Sequence, residues 1–400
     1  MDAFIPSRSA ALQRLADFTP RAGSIYARGR NYDEGPGRRQ TVSVLSPYVR
    51  CRALTEAEIA ERVLSAHSYG AAEKFIQEVC WRTYWKGWLE QRPTVWGAYL
   101  AGLSAAQRLD GPTAELLARA TDGRTGIDAF DAWVRELTET GYLHNHARMW
   151  FASIWIFTLR LPWELGAAFF LRHLLDGDPA SNTLSWRWVA GLHTRGKIYL
   201  ARPDNIATYT QGRFSPKGLA ASALPVEEPS APPAVPVAPL PERPPQGAFV
   251  LLIHSDDLSP ETLDLPRHDV AAVSWLEDRA DGSVSSKVTE FRAALGMDAL
   301  RRAGEHFGCP TLHARDLPAL LAQSGHRRVV VPAPTIGPAR EALAAVRPQL
   351  QAAGVELVEI RRRWDTLFWP HATKGFFALK DRIPSVLETI KLIPGQRDAS

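Results

Sequence analysis

"GYLHNHARMWFASIWIF", residues 141–157, places Trp150, Phe151, Ile154, Trp155, Ile156 and Phe157 behind a first turn that carries Asn145, His146, Arg148 and Met149. A helix serving only a core has no use for those polar groups. On a helix, Asn145 and Met149 share one face and Arg148 lies on the adjoining one, four residues from His144. An arginine buried among such aromatics needs a carboxylate or phosphate partner. His144 and His146 would point about 200° apart on that helix, which argues against one metal ion held between them.

The acidic partner is legible in "LLDGDPASNTLSWRWVAG", residues 174–191. Asp176-Gly177-Asp178-Pro179 reads as a turn opening a helix, where free backbone amides favour anions. Ser181, Asn182, Trp186 and Trp188 follow, a denser polar and aromatic cluster than capping requires, and it should face the helix of Asn145 and Met149. In "FIQEVCWRTYWKGWL", residues 75–89, Trp81, Trp85 and Trp88 form a stripe that would be ordinary core, except that Glu78 and Arg82 share its face. "TVSVLSPYV", residues 41–49, offers Ser43 and Ser46 beside a proline, suited to bonding a phosphate.

Composition sets the frame. The 400 residues are 45% hydrophobic and 22% charged, enough for two cores, and no run approaches the length and apolarity of a membrane span, so a cytoplasmic protein is expected. Cys51, Cys80 and Cys309 lack metal-site or redox spacing and read as buried thiols, with no metal expected. The net charge of +4 divides into an excess of six cations over residues 1–220 and two anions beyond, a weak preference of the first part for anionic partners. Residues 215–247 are rich in proline and read as an extended linker separating a helical unit, 1–214, from an α/β unit, 248–400. Helices are expected at about 55–68, 70–90, 127–139, 144–159, 163–174 and 181–192; ten of the 13 tryptophans fall between Trp81 and Trp188. Beyond the linker, "AFVLLIH", "DVAAVSWL", "RRVVVPAP" and "VELVEIRR" alternate with helical stretches at 286–306, 337–352 and 372–388, the pattern of a Rossmann-like parallel sheet. It has neither nucleotide-binding glycine motif, so it either takes a small molecule at its strand ends or only scaffolds.

The motifs "LSPYV", "EVCWRTYW", "GRTGIDAFDAWVRELTETGYLHNHARMWFAS" and "LPWELGAAFFLRHLLDGDPASNTLSWRWVAG", in this order, resemble the FAD-binding helical domain of the cryptochrome and DNA photolyase family over roughly residues 20–215. The resemblance implies a mostly α FAD-binding domain followed by the α/β domain, an order permuted relative to the family. It implies FAD held by Ser43, Leu45, Ser46 and Arg82 near the phosphates, Asn182 facing flavin N5, Arg148 paired with Asp176 beside the ring, and Asp178 bonding flavin or ribose. It further implies that Glu78, Trp81, Asn145, Met149 and Trp188 receive a flipped cyclobutane pyrimidine dimer in damaged DNA, with His146 beside them. Trp186 and Trp163 match members of an electron relay. The implied reaction is light-driven electron transfer from reduced FAD to the dimer; a folate or deazaflavin antenna is possible.

Three departures qualify the likeness. His146 stands where dimer photolyases carry arginine, "LHTRGKIYLARPDNIATYTQGRF" departs from the usual ending, and Ala120 stands at the outermost relay position, which shifts attention to Trp133, Trp150 or Trp155. A cryptochrome-like blue-light receptor that signals through a partner is the alternative.

Overall fold

The computed structural model describes residues 4–194, 196–277, 282–312, 321 and 325–394. Among these described residues, twelve α-helices occupy the first half: α1 (Arg8–Phe18), α2 (Ser24–Gly29), α3 (Ser46–Arg50), α4 (Glu56–Leu64), α5 (Tyr69–Glu90), α6 (Thr94–Ala106), α7 (Gly111–Thr121), α8 (Asp128–Thr140), α9 (Asn145–Ser153), α10 (Trp163–His173), α11 (Pro179–Val189) and α12 (Pro203–Tyr209). Their limits follow local chemistry. Thr55 and Glu58 form a reciprocal capping box at the start of α4. Asp178 caps α11 by accepting from the Ser181 amide, with Pro179 in the first turn where its missing N–H costs nothing. Gly141 ends α8 at φ 71°, and a Cβ there would lie 2.6 Å from Leu175 Cγ, so only glycine fits the turn that brings the two polar segments together.

The expected helix at 144–159 is α-helical only to Ser153; Ile154–Thr158 widens into a π turn in which the Leu159 amide bonds the Ile154 carbonyl at 2.9 Å.

The second half holds a five-stranded parallel sheet in the order β3-β2-β1-β4-β5, built from β1 (Phe249–His254), β2 (Val270–Leu276), β3 (Thr311–Leu312), β4 (Arg328–Pro332) and β5 (Glu356–Ile360). Every residue of β1 is buried, as a central parallel strand covered on both faces requires. Helices Ser286–Phe307, here α13, and Pro338–Ala352 flank the sheet near the expected limits. The single helix expected at 372–388 is instead two, Phe376–Lys380 and Ile383–Thr389. Pro384 in the first turn of the second lacks the N–H that a continuous helix would give to Lys380.

The halves are joined by buried charge. Arg50 Nη1 bonds the Ser255 carbonyl at 2.9 Å and Asp256 Oδ1 at 2.7 Å, while Asp256 Oδ2 accepts from the Thr335 amide and hydroxyl. This cluster fills the carboxyl ends of β1 and β4, the point where strand order reverses and where open α/β sheets usually admit ligands. At that point the chain's own arginine supplies the positive charge that the strand ends face. Arg52 reaches Glu56 at 3.1 Å and Asp365 at 2.6 Å, and Arg362 holds Asp257 through two contacts of 2.5 and 2.6 Å.

The proline-rich stretch does not behave as a free tether. The Val235 amide bonds the Gln91 carbonyl at 2.9 Å, Arg92 Nε bonds the Pro232 carbonyl at 3.0 Å, and Glu228 receives both Trp163 Nε1 and Arg187. The chain beyond β5 returns to α5, where Trp364 Nε1 bonds Thr83 Oγ1 at 2.9 Å and the Tyr84 hydroxyl bonds the Lys374 carbonyl at 2.8 Å.

Candidate functional site

A cavity of about 560 Å³ opens among α2, α3, α5, α9 and α11. Fifteen of the sixteen residues to which the resemblance gives a role line it: Ser43, Leu45 and Ser46 before and in α3; Glu78, Trp81 and Arg82 on α5; Asn145, His146, Arg148 and Met149 on α9; Asp176 and Asp178 in the turn; and Asn182, Trp186 and Trp188 on α11. Trp163 does not. It lies behind α11, with Nε1 on Glu228 at 2.7 Å and the Arg187 guanidinium 5.7 Å from its ring centre.

The deep wall is electrostatically set. Arg148 Nη1 and Nη2 hold Asp176 Oδ1 and Oδ2 at 3.0 and 2.8 Å, and its Nε bonds the Leu143 carbonyl at 2.9 Å, so the guanidinium plane is fixed. Burial alone would raise the Asp176 carboxyl; Arg148, with Arg82 and Ser46, outweighs it and holds Asp176 below the ordinary aspartate value. Asp178 is likewise held down against burial, chiefly by Lys86, whose Nζ stands 3.6 Å from Oδ2 with both side chains buried. Arg82 Nη1, Asp178 Oδ2, Ser181 Oγ and Trp186 Nε1 are buried in this wall with no hydrogen-bond partner. Buried polar atoms are normally satisfied, so four on one cavity mark capacity kept for a ligand rich in donors and acceptors. The Asn182 amide is turned by a 2.9 Å bond from Nδ2 to the Ala167 carbonyl.

The mouth is wetter. Asn145 is exposed, whereas Glu78, Trp81, His146, Met149 and Trp188 are half-buried. Asn145 Nδ2 lies 3.9 Å from Met149 Sδ, the pairing their spacing predicts. Glu78 bonds Arg30 at 2.5 Å, yet burial wins over Arg30 and Lys74 and raises its carboxyl above the usual range. Trp81 is a wall rather than plain core, with one face stacked on Phe376 at 3.8 Å and 12°.

The histidines correct the geometry expected of them. His144 is the cap rather than a helical residue, so its ring stands 6.1 Å from that of His146 and not on an opposite face. His144 Nδ1 accepts from the His146 amide, Nε2 donates to the Arg30 carbonyl at 3.1 Å, and His146 Nδ1 donates to the Asn31 carbonyl at 2.6 Å. Burial pushes His144 down to about 4 against the pull of Asp33, and lowers His146. No group of three or more potential metal ligands occurs among the described residues.

Several lining residues carried no sequence signal. Tyr26, Arg30 and Asn31 arrive from α2 and the turn after it, and Tyr142 packs under Arg148 at 5.5 Å. Val44, also in the wall, adopts φ 52°, a strained value for a β-branched residue.

Behind the cavity, the indole of Trp186 meets that of Trp155 edge-on at 6.2 Å, and both press on Gly166, where a Cβ would lie 2.3 Å from Trp186. Trp133 and Trp150 stack at 5.6 Å, and Ala120 is fully buried. Cys51 and Cys80 are buried free thiols and Cys309 is half-buried.

Residues 75–218 match the family described as the FAD-binding domain of DNA photolyase. The deoxyribodipyrimidine photo-lyase of Streptomyces griseus is 36% identical over 179 residues, which is 44% of this chain and 37% of that protein. That of Thermus thermophilus is 33% identical over 245 residues, 59% of this chain and 54% of that one. Among solved structures, a bacterial class III photolyase from Agrobacterium tumefaciens aligns with a TM-score of 0.45 and 28% identity over 52% of this chain and 43% of its own. The chain thus spans about half, or less, of the relatives it matches. No helix among the described residues is long and apolar enough to cross a membrane.

Proposed function

We propose, from the match of residues 75–218 to the FAD-binding domain of DNA photolyase, a light-driven DNA-repair lyase that holds FAD in the 560 Å³ cavity and receives a cyclobutane pyrimidine dimer at its mouth. The observation that carries this reading is the set of four buried polar atoms without a hydrogen bond beside the fixed Arg148–Asp176 pair. FAD, when bound, reduced and photoexcited, supplies the electron that opens the dimer's ring and takes it back, without net redox change.

The chain's own residues divide the work. Arg148, locked by Asp176, presents a fixed positive charge to the deep cavity and favours an electron-rich ring there. Ser43, Leu45, Ser46 and the unpaired Nη1 of Arg82 suit phosphate oxygens. Asp178 and the oriented amide of Asn182 would fix the ring's polar edge. At the mouth, Trp81 and Trp188 give aromatic walls for extrahelical bases, while Asn145 and Met149 fill the floor between them. Glu78, raised by burial and held by Arg30 at 2.5 Å, offers a polar group to a base edge at the mouth. Trp186 and Trp163 are read as relay members, and residues 1–214, 215–247 and 248–400 as FAD domain, linker and permuted α/β domain. A folate or deazaflavin antenna is left to chemical identification.

The test is direct. Gently denatured protein should release a yellow chromophore with flavin absorbance, and the reduced protein under blue light should restore thymines from a dimer-containing oligonucleotide. Absence of flavin overturns the whole reading. Flavin without repair leaves the blue-light receptor, which one observation favours: His146 is spent on the Asn31 carbonyl, where its ring adds no charge to the mouth.

A further inference from the structure

A second cavity, of about 1350 Å³, lies where the proline-rich segment crosses the end of α5. Arg92, 8% exposed, stands in its wall. Its Nε bonds the Pro232 carbonyl at 3.0 Å and its Nη2 the Thr373 carbonyl at 2.8 Å, but Nη1 is buried without a partner. No carboxylate among the described residues pairs with it. The guanidinium lies 4.3 Å above the ring centre of Trp88, the His193 ring packs on the same indole at 4.7 Å, and, after burial and the Arg187 charge, the Arg92 charge is near enough to help lower the His193 imidazole.

The polarity of His193 follows from its neighbour. The Tyr84 hydroxyl gives its one hydrogen to the Lys374 carbonyl, so it must accept from His193 Nε2 at 2.9 Å. The neutral ring then presents Nδ1 as a buried acceptor, and it too has no partner. Lys374 is exposed on the rim. Of the two acids in this cavity, Glu228 is already engaged by Arg187 and Trp163, and Glu227 is exposed.

We propose that this cavity is a second ligand site, for a small anion that also carries a hydroxyl, such as a phosphate or a hydroxycarboxylate, with the anion on Arg92 Nη1 and the hydroxyl on His193 Nδ1. A cation left unneutralised in a buried wall attracts an anion, and an adjacent unmet acceptor rejects any anion without a donor. The site does not depend on the flavin reading, since the two cavities share no lining residue.

The experiment is calorimetric titration of the full chain at constant ionic strength with phosphate against sulfate and glycolate against acetate, each pair differing in the hydroxyl. We expect saturable binding of phosphate or glycolate, at least about ten-fold weaker binding of its hydroxyl-free counterpart, and loss of that contrast in His193→Phe. Arg92→Gln should weaken binding about ten-fold. Because Arg92 also ties Pro232 to Thr373, the rim variant Lys374→Glu, which keeps both bonds, should weaken it several-fold. Flavin content should be unchanged throughout, which separates failure here from failure of the FAD assignment. No saturable binding, equal binding of the paired anions, or wild-type affinity in both Arg92→Gln and Lys374→Glu overturns the proposal.

Discussion

Two regions of the molecule concentrate buried charge, and they resolve it in opposite ways. At the strand ends of the sheet, Arg50 meets Asp256 and Arg52 meets Asp365 and Glu56, and of these groups' atoms Glu56 Oε1 is left without a hydrogen bond. In the cavity between α5, α9 and α11, Arg148 meets Asp176, yet Arg82, Asp178, Ser181 and Trp186 keep unmet polar atoms. The same residue types thus make a joint in one place and a receptacle in the other. What separates them is how much hydrogen-bonding capacity is left unspent, and Arg50→Leu and Asp176→Asn test that distinction by reading folding and flavin retention together.

Arg50→Leu should have the largest effect. It strands Asp256 as a buried carboxylate, so urea denaturation should show a loss of about 3–5 kcal/mol with flavin stoichiometry intact in the folded fraction. A loss below about 1 kcal/mol would mean the joint is dispensable.

Protonation probes the receptacle next. His144 has its folded pKa depressed from 6.5 to about 4, so its contribution is full above pH 6.5 and is lost as pH falls toward 4. The wild type should lose on the order of 3 kcal/mol across that window from this group, and His144→Asn, which can still cap α9, should flatten that limb. An unchanged slope would place the acid sensitivity elsewhere.

Packing behind the cavity comes third. Gly166→Ala drives a methyl into the Trp186 and Trp155 indoles and should cost about 1–3 kcal/mol by thermal unfolding, with the indole fluorescence shifted. Asp176→Asn should be gentlest on folding but selective. Retention of flavin on dialysis should fall about ten-fold, while stability falls less than in Arg50→Leu. Equal flavin retention would show that the Arg148–Asp176 pair is a joint like the other.

The receptacle was more legible in the sequence than the joint. Asn145, Arg148 and Met149 betray themselves as polar groups on an aromatic helix, and Asp176 and Asp178 as two acids in one turn. The strands show as apolar runs because a parallel sheet buries both faces. Arg50 and Arg52 give no sign of the joint, since their partners across it, Asp256, Asp257 and Asp365, lie more than 200 residues on, and the local Arg52–Glu56 pair reads as an ordinary i,i+4 contact. Arg30 and Tyr26 reach the cavity only through the packing of α2 on α5. His144 was misplaced because periodicity cannot tell a cap from a first helical residue. Trp163 is singled out by resemblance as a relay member, and its hydrogen-bond partner, Glu228, sits in a stretch that the sequence reads as linker.

The return of the chain to α5 also has a consequence in time. Tyr84 and Trp81 wait for Lys374 and Phe376, and Tyr84 is separated from Lys374 by 290 residues. At a synthesis rate of roughly 5–20 residues per second, the indole face of α5 stays uncovered on the ribosome for about 15–60 s after it is made. During that interval the nascent helical half presents an adhesive aromatic surface, so holding chaperones should engage it until the last aromatic turn arrives.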